Sequence, residues 1–512
     1  MRREGIRSRR LVFTLVTAML LVLATACRPA FDESHAEERL TLLVAAADTV
    51  TREGLRASWE RAVTPETATP APPFGLRLLT DLTRAELLAL VDLLGRDHAA
   101  ALRMVHDVSA RARTQSDPAV RDALTTVRRL RARHLATLSP EQERVLTESA
   151  DASARREAWL ARHAGAEELA PVVLELMVRR NRAWEKAHDA HVVVSLHDPT
   201  LAAIEMAGWA VALDELREGL RAGAEESRLA PWDVEAADPV LLRRVAERLD
   251  AEGAVDRARD LLPWLGLPRA PETLRIDVPR SSEFSSNASY AVDPPHDVRI
   301  VVVPTAGLSG HWPIFHELGH AMVGLLADPS ASPEHRRVLD RSVSESCAKV
   351  TERLVFSREW LALRGFDEET IVAIERFEAA SERGRARRIL ADVDLESLVA
   401  SEEALPAGSF EQIQREVAFA APSGLPHWAA ERSLSLEPGT RVTYLRARCA
   451  QAALYRRLRS LPGGLLGQEA GRTLRAAFEA APGRSWVEWL DEVTGEPPSC
   501  TAWVEDVLRA AP

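Results

Sequence analysis

The sequence predicts a mostly α-helical protein with one small β-sheet beside an apolar helix. Three observations carry this. Alanine, leucine, arginine and glutamate, all strong helix formers, dominate the 512 residues. Apolar residues recur at helical spacing along most of the chain. Only two segments, both between 274 and 304, are dense enough in Val and Ile to read as strands. Hydrophobic residues at 46% and charged residues at 28% are the balance of a soluble globular protein.

The first element is not part of that fold. MRREGIRSRR carries five arginines and is followed by an apolar run of 13 residues, LVFTLVTAMLLVL, and then ATAC. Charge, short apolar core and small-residue ending are the parts of an export signal, expected over residues 1–26. The run is too short for a comfortable membrane span. Two processing routes compete: cleavage after Ala24-Thr25-Ala26, or lipidation of Cys27 in an imperfect lipoprotein box with Ala24 where Leu is usual. Lipidation is the favoured reading, with 27–35 as a tether and 36–512 as one helical domain. The expected location is the bacterial cell envelope, with a lipid on Cys27 as the only membrane contact. Removing residues 1–26, with five arginines and one glutamate, moves the formal charge from −11 to −15. So acidic a chain is a poor partner for nucleic acid. Cys347, Cys449 and Cys500 remain; they read as buried small hydrophobes, with a Cys449–Cys500 bridge left open.

Residues 38–63 have apolar positions at helical spacing, and TPETATPAPP (64–73) breaks the pattern. Helical periodicity resumes over 76–230, with SDP and LSPEQ as ordinary helix junctions. LRIDVP (274–279) and HDVRIVVVP (296–304) follow as the strands, and helices then run to the end. No fixed-period repeat is present, which argues against a solenoid.

Within HWPIFHELGHAMV (311–323), His316 and His320 lie one turn apart on one helix face. Two neutral imidazoles so placed reach one zinc ion at about 2.0–2.1 Å each. Glu317 is rotated out of the ligand row and suits a general base acting on a metal-activated water. Pro313 is expected to start this helix, and Gly319 would admit a second backbone. Isolated histidines such as His98, His106 and His188 read as ordinary surface or core residues.

A catalytic zinc needs a third ligand. Leu326 stands where a third histidine of another common pattern would be, and Leu339 and Asp340 stand 19 and 20 residues after His320. RSVSESCAKVTERL (341–354) is helix-like and carries Glu345, 25 residues after His320, with Glu352 two turns along as the competing ligand.

That spacing belongs to helical zinc peptidases. The whole mature chain resembles the angiotensin-converting enzyme (peptidyl-dipeptidase A) family and, more distantly, the thimet oligopeptidase group. The stretches that carry the likeness are NASYAVDPPHDVRI (287–300), GTRVTYLRARCAQ (439–451), EAGRTLRAAFEAAPGRSWVEWLDEVTGEPP (469–498) and, more loosely, 156–188. The resemblance implies a helical ellipsoid of two lobes around a deep central cleft, with a zincin-like sheet beside the metal helix. It implies one Zn²⁺ on His316, His320 and Glu345, Glu317 as base and Tyr444 as oxyanion donor. Oligopeptides would lie extended along a strand edge, for which DVRIVVV is available, with a backbone contact from Ala288. Several positions depart from the family. Asn287 replaces one substrate-binding histidine, and His427 is the only histidine near the other. Lys349 stands where the family has an acid, and Thr443 where it has an arginine that helps hold chloride, so no chloride activation is expected. Arg432 and Arg441 lie near the expected carboxylate-binding region. The leading expectation is therefore an exported zinc peptidase acting on oligopeptides, with release of carboxy-terminal dipeptides as one mode; a catalytically inactive peptide-binding relative is the alternative.

Overall fold

A computed structural model describes residues 33–63, 73–94, 98–134, 145–146, 149, 151–187, 213–221, 232, 239–279, 287–401, 408–416, 424–430 and 439–508. Cys27, its leader and Arg432 lie outside the described residues. Helix α1 (Glu33–Val63) buries Ala36, Leu40, Leu43, Val44 and Ala47, a stripe with helical period. It packs with α2 (Ala99–Ser116) and the short helices Pro73–Thr80 and Arg84–Leu94. Helices α3 (Pro118–His134) and α4 (Ala166–Ala187) build a second cluster around Leu169, Val173 and Leu176.

A three-stranded sheet follows: β1 (Leu274–Asp277), β2 (Ala288–Asp293) and β3 (Asp297–Val301), in the order β1-β3-β2. β1 runs parallel to β3 with Leu274 opposite Val298, and β2 runs antiparallel with Ala288 opposite Val301. Alternation along β3 assigns its two faces. Val298 and Ile300 join the main core, while Val301 packs with Tyr290, Val292 and Trp59 of α1. This corrects the sequence expectation for the strand edge. The Val-rich DVRIV strand is central, with both sides paired, and the outer strands are β1 and β2.

The main core is formed by α5 (Leu308–Leu325), α6 (Arg341–Leu354), α7 (Glu368–Ser401), α8 (Thr440–Ser460), α9 (Gln468–Glu479), α10 (Trp486–Thr494) and α11 (Thr501–Leu508). α5 starts at Leu308, so Pro313 sits inside the helix and not at its start. Gly307, at φ 82°, turns the chain into it. Asp340 caps α6 by accepting from the Ser342 backbone N–H at 2.6 Å, and its other oxygen accepts from Trp486 N–H at 3.2 Å. Ser485 and Glu488 form a capping box on α10. Cys449 and Cys500 form a disulfide joining α8 to the residue before α11, and Cys347 is a buried free thiol. Among the described residues no helix is long and apolar enough to cross a membrane.

Candidate metal centre

α5 and α6 cross closely because position 319 has no side chain. A Cβ there would lie 2.6 Å from Ala348 Cα and 2.8 Å from the Cys347 carbonyl oxygen. The crossing brings Glu345 of α6 over the two histidines of α5. One donor atom each from His316, His320 and Glu345 lie within 4.8 Å of one another. The two Nε2 atoms are 3.2 Å apart, and Glu345 oxygens lie 3.6 Å from His316 Nε2 and 3.8 Å from His320 Nε2. Tetrahedral ligands on zinc stand about 3.3 Å apart, so one ion fits between these donors.

Hydrogen bonding points the same way. His316 Nδ1 lies 3.0 Å from Glu352 Oε2 and His320 Nδ1 lies 2.8 Å from Ser344 Oγ. A carboxylate only accepts, so His316 carries its proton on Nδ1 and turns the Nε2 lone pair towards the group. Glu345 Oε2 is buried and accepts no hydrogen bond. Two facing nitrogens and a buried, unsatisfied carboxylate oxygen form a donor set that a divalent cation would complete. Of the two glutamates weighed as third ligand, the geometry brings Glu345 to the histidines' metal-facing nitrogens. Glu352 stands behind His316 as a hydrogen-bond acceptor.

Burial tunes the surrounding acids and bases. It pushes the Glu317 carboxyl up to about 7, with Glu345 adding repulsion and His316 and Lys349 opposing it. Burial also lowers the His320 imidazole to about 4, which keeps it neutral and able to bind metal at neutral pH. The Tyr444 phenol on α8 is raised to about 12, chiefly by burial and then by Glu345, with a smaller push from Glu317. Tyr444 is therefore protonated at neutral pH, and the charges of Glu345 and Glu317 both act on it. Tyr290 of β2, which the sequence reading did not single out, is likewise raised to about 12 by burial and by Glu317.

The remaining candidates divide. Asn287 spends its side-chain oxygen on the Val303 backbone N–H, at 2.6 Å, closing the end of the sheet. Ala288 opens the outer strand β2. His427 sits in an aromatic nest with Trp159, His163 and Phe410, its Nε2 3.2 Å from Gln414 Nε2, and none of these neighbours belongs to the metal group. Arg441 pairs with Asp392 at 3.1 Å. Arg299 pairs with Asp297 at 2.6 Å and stacks on Trp59 with its guanidinium 4.3 Å from the ring centre. Asp340, weighed by its spacing from His320, is a helix cap. Sequence reasoning missed Ser344 as the partner of His320; its place one residue before Glu345 was the available signal.

No protein-family model matches the chain, and no curated protein matches it. Its fold does match solved structures. An M32 carboxypeptidase from Deinococcus radiodurans R1 superposes with a TM-score of 0.58 at 14% identity, covering 92% of this chain and 97% of the other. A protein designated CHT gives 0.56 at 13% identity, covering 93% and 99%. The Pyrococcus furiosus carboxypeptidase gives 0.54 at 16% identity, covering 92% and 98%. The chain thus has the helical fold seen in M32 carboxypeptidases, over nearly its whole length. At these identities the likeness defines the fold, and the fold neighbours do not single out the angiotensin-converting enzyme family.

Proposed function

We propose that this protein is an exported zinc metallopeptidase that trims oligopeptides from their carboxyl end. The observation that carries the reading is the convergence of His316, His320 and Glu345 on one point, with Glu317 next to His316 in the chain. His316, His320 and Glu345 would hold a zinc ion, which would supply a Lewis acid and a water acidified towards a pKa of about 7. Glu317, beside the ligand histidines, takes the proton of the attacking water and returns it to the leaving amine. Tyr444, firmly protonated, donates a hydrogen bond to the developing oxyanion. The outer strand β2 offers main-chain groups to an extended peptide. Carboxypeptidases with this fold support attack near the carboxyl terminus.

The leader-like residues 1–26 and the Cys449–Cys500 bridge both support an oxidising compartment outside the cytoplasm. A lipid on Cys27 would anchor the protein to the envelope, and the intact mass of the exported form decides between the two processing routes. The activity is tested by counting bound zinc and incubating wild type and Glu317→Gln with a mixed peptide pool read by mass spectrometry. Cleavage by wild type alone is expected, and the fragment ladder distinguishes loss of one residue, loss of dipeptides and internal cutting. One bound zinc with no cleavage by either protein would replace this reading with that of a peptide-binding relative.

A further inference from the structure

Behind the metal group lies a set of buried charges that the proposed reaction does not use. Glu345, Lys349 and Glu352 are spaced by four and three residues, which puts all three on one face of α6. Glu352 is 3% exposed, Lys349 8% and Arg448 4%. The Glu352 carboxylate has three partners on three helices. Its Oε2 accepts from His316 Nδ1 at 3.0 Å and from Lys349 Nζ at 2.5 Å, and its Oε1 from Arg448 Nη2 at 3.2 Å. Arg448 in turn reaches Glu382 of α7 at 2.9 Å and Gln451 at 3.0 Å. Glu382 also accepts from Trp503 Nε1 at 3.0 Å and pairs with Arg385.

We propose that Glu352, anchored by Lys349 and Arg448, is the positioning residue of the metal centre, holding the His316 ring so that its Nε2 meets His320 and Glu345. The inference rests on the metal-centre reading above. A carboxylate buried this near Glu345 needs cations beside it to stay ionised, and two are supplied. Those two would already balance it as a purely structural pair. The third partner, the imidazole nitrogen opposite the metal-facing one, is what links the pair to the site. A carboxylate there fixes the tautomer and strengthens the other nitrogen as a ligand. Lys349 shares the same oxygen and cannot itself accept from the imidazole, so its part is to hold Glu352. Arg448 lies one turn beyond Tyr444 on α8, so the same carboxylate also sets that helix against His316.

The test measures zinc affinity by competition with a chromophoric chelator, and the visible spectrum of the cobalt-loaded protein. It uses the full exported chain as wild type, Glu352→Gln, Lys349→Met and the double variant, whose neutral pair removes both charges and guards against misfolding. The expected result is a 10- to 100-fold loss of zinc affinity in Glu352→Gln and in the double variant. Their cobalt spectra should be altered, while Lys349→Met, in which Arg448 still holds Glu352, stays close to wild type. Folded Glu352→Gln or double variant with wild-type affinity and an unchanged spectrum would overturn the proposal. So would Lys349→Met weakening zinc while the double variant binds it as wild type does, since an uncompensated charge and not the lost carboxylate contact would then be responsible. Failure of wild type to bind zinc at all would remove the metal-centre reading itself.

Discussion

Glu317 and His320 share one buried site, yet burial moves them in opposite directions, because it penalises whichever form is charged. The carboxyl rises to about 7 and the imidazole falls to about 4, both without a metal. A dication placed beside Glu317 favours its carboxylate, so metal loading must release protons. At pH 7 about half a proton should leave Glu317 per zinc bound, rising towards one at pH 6. Calorimetry of zinc binding in buffers of different ionisation enthalpy measures this, and the Glu317 share should vanish in Glu317→Gln. Equal proton release by both proteins would show that Glu317 is already ionised. The stability of the metal-free protein follows with the opposite sign for the two groups. Glu317, raised from 4.5, stabilises the fold below that value and loses the contribution as pH rises through about 7. His320, lowered from 6.5, costs stability at low pH and regains it as pH rises from about 4 to 6.5. In the proposed reaction Tyr444 acts only as a donor. Tyr444→Phe should keep zinc affinity and KM while lowering kcat by roughly 10²–10³, the usual loss on removing one oxyanion donor. A change confined to KM would assign it to substrate binding instead.

At the scale of the helix pair, one glycine decides whether the site exists. In an exposed helix, Gly→Ala adds about 1 kcal/mol of stability. At Gly319 the new Cβ would press on the backbone of α6 at 2.6 Å and 2.8 Å, three and two residues from Glu345. Gly319→Ala should therefore destabilise by about 1–3 kcal/mol, as overpacking does, and weaken zinc binding by shifting Glu345. Thermal melting and chelator competition check both parts; a variant that melts higher than wild type would contradict the close crossing. This scale also explains what the sequence could tell. His316, Glu317, His320 and the limits of α6 were legible because their geometry is set by the helical repeat, within a few residues. Glu345 was legible from its distance along the chain and from the family resemblance, which already ranked it over Glu352, and the helix crossing brings it to the two histidines. The outer strand β2 was hidden because only Tyr290 and Val292 of Ala-Ser-Tyr-Ala-Val-Asp favour a strand, too short a pattern to stand out without its pairing to β3. Asn287 and His427 show the limit of matching by position. The Val303 backbone N–H engages the Asn287 side-chain oxygen, while the His427 nitrogens lie near Gln414 and the Leu425 carbonyl among aromatic neighbours.

Over the whole molecule, the metal centre sits between parts of the chain far apart in sequence. His316 and Glu345 belong to its middle, while Arg448, Tyr444 and Trp503 come from the carboxy-terminal helices. Such long-range partners leave no local pattern, which is why the Cys449–Cys500 pairing stayed open in the sequence and is settled only by the packing of α8 against α11. The two cysteines are 51 residues apart, their Cα atoms lie 4.5 Å apart, and the loop between them contains α9 and α10. Closing a loop of that length removes unfolded-state entropy worth up to about 4 kcal/mol. The bridge lies in α8 one residue after Arg448, and its other end is three residues before Trp503, whose indole anchors Glu382. Cys500→Ser should therefore lower stability by about 2–4 kcal/mol. It should also loosen the charge network behind His316 in proportion, so that zinc affinity falls less than in Glu352→Gln. Denaturant unfolding and chelator competition on the exported protein test the pair of effects. The mass of the unreduced wild type should be lower than that of its reduced form by the two thiol hydrogens. A wild type that shows no such difference carries two buried thiols, and the support which the bridge lends to an extracytoplasmic location is then withdrawn.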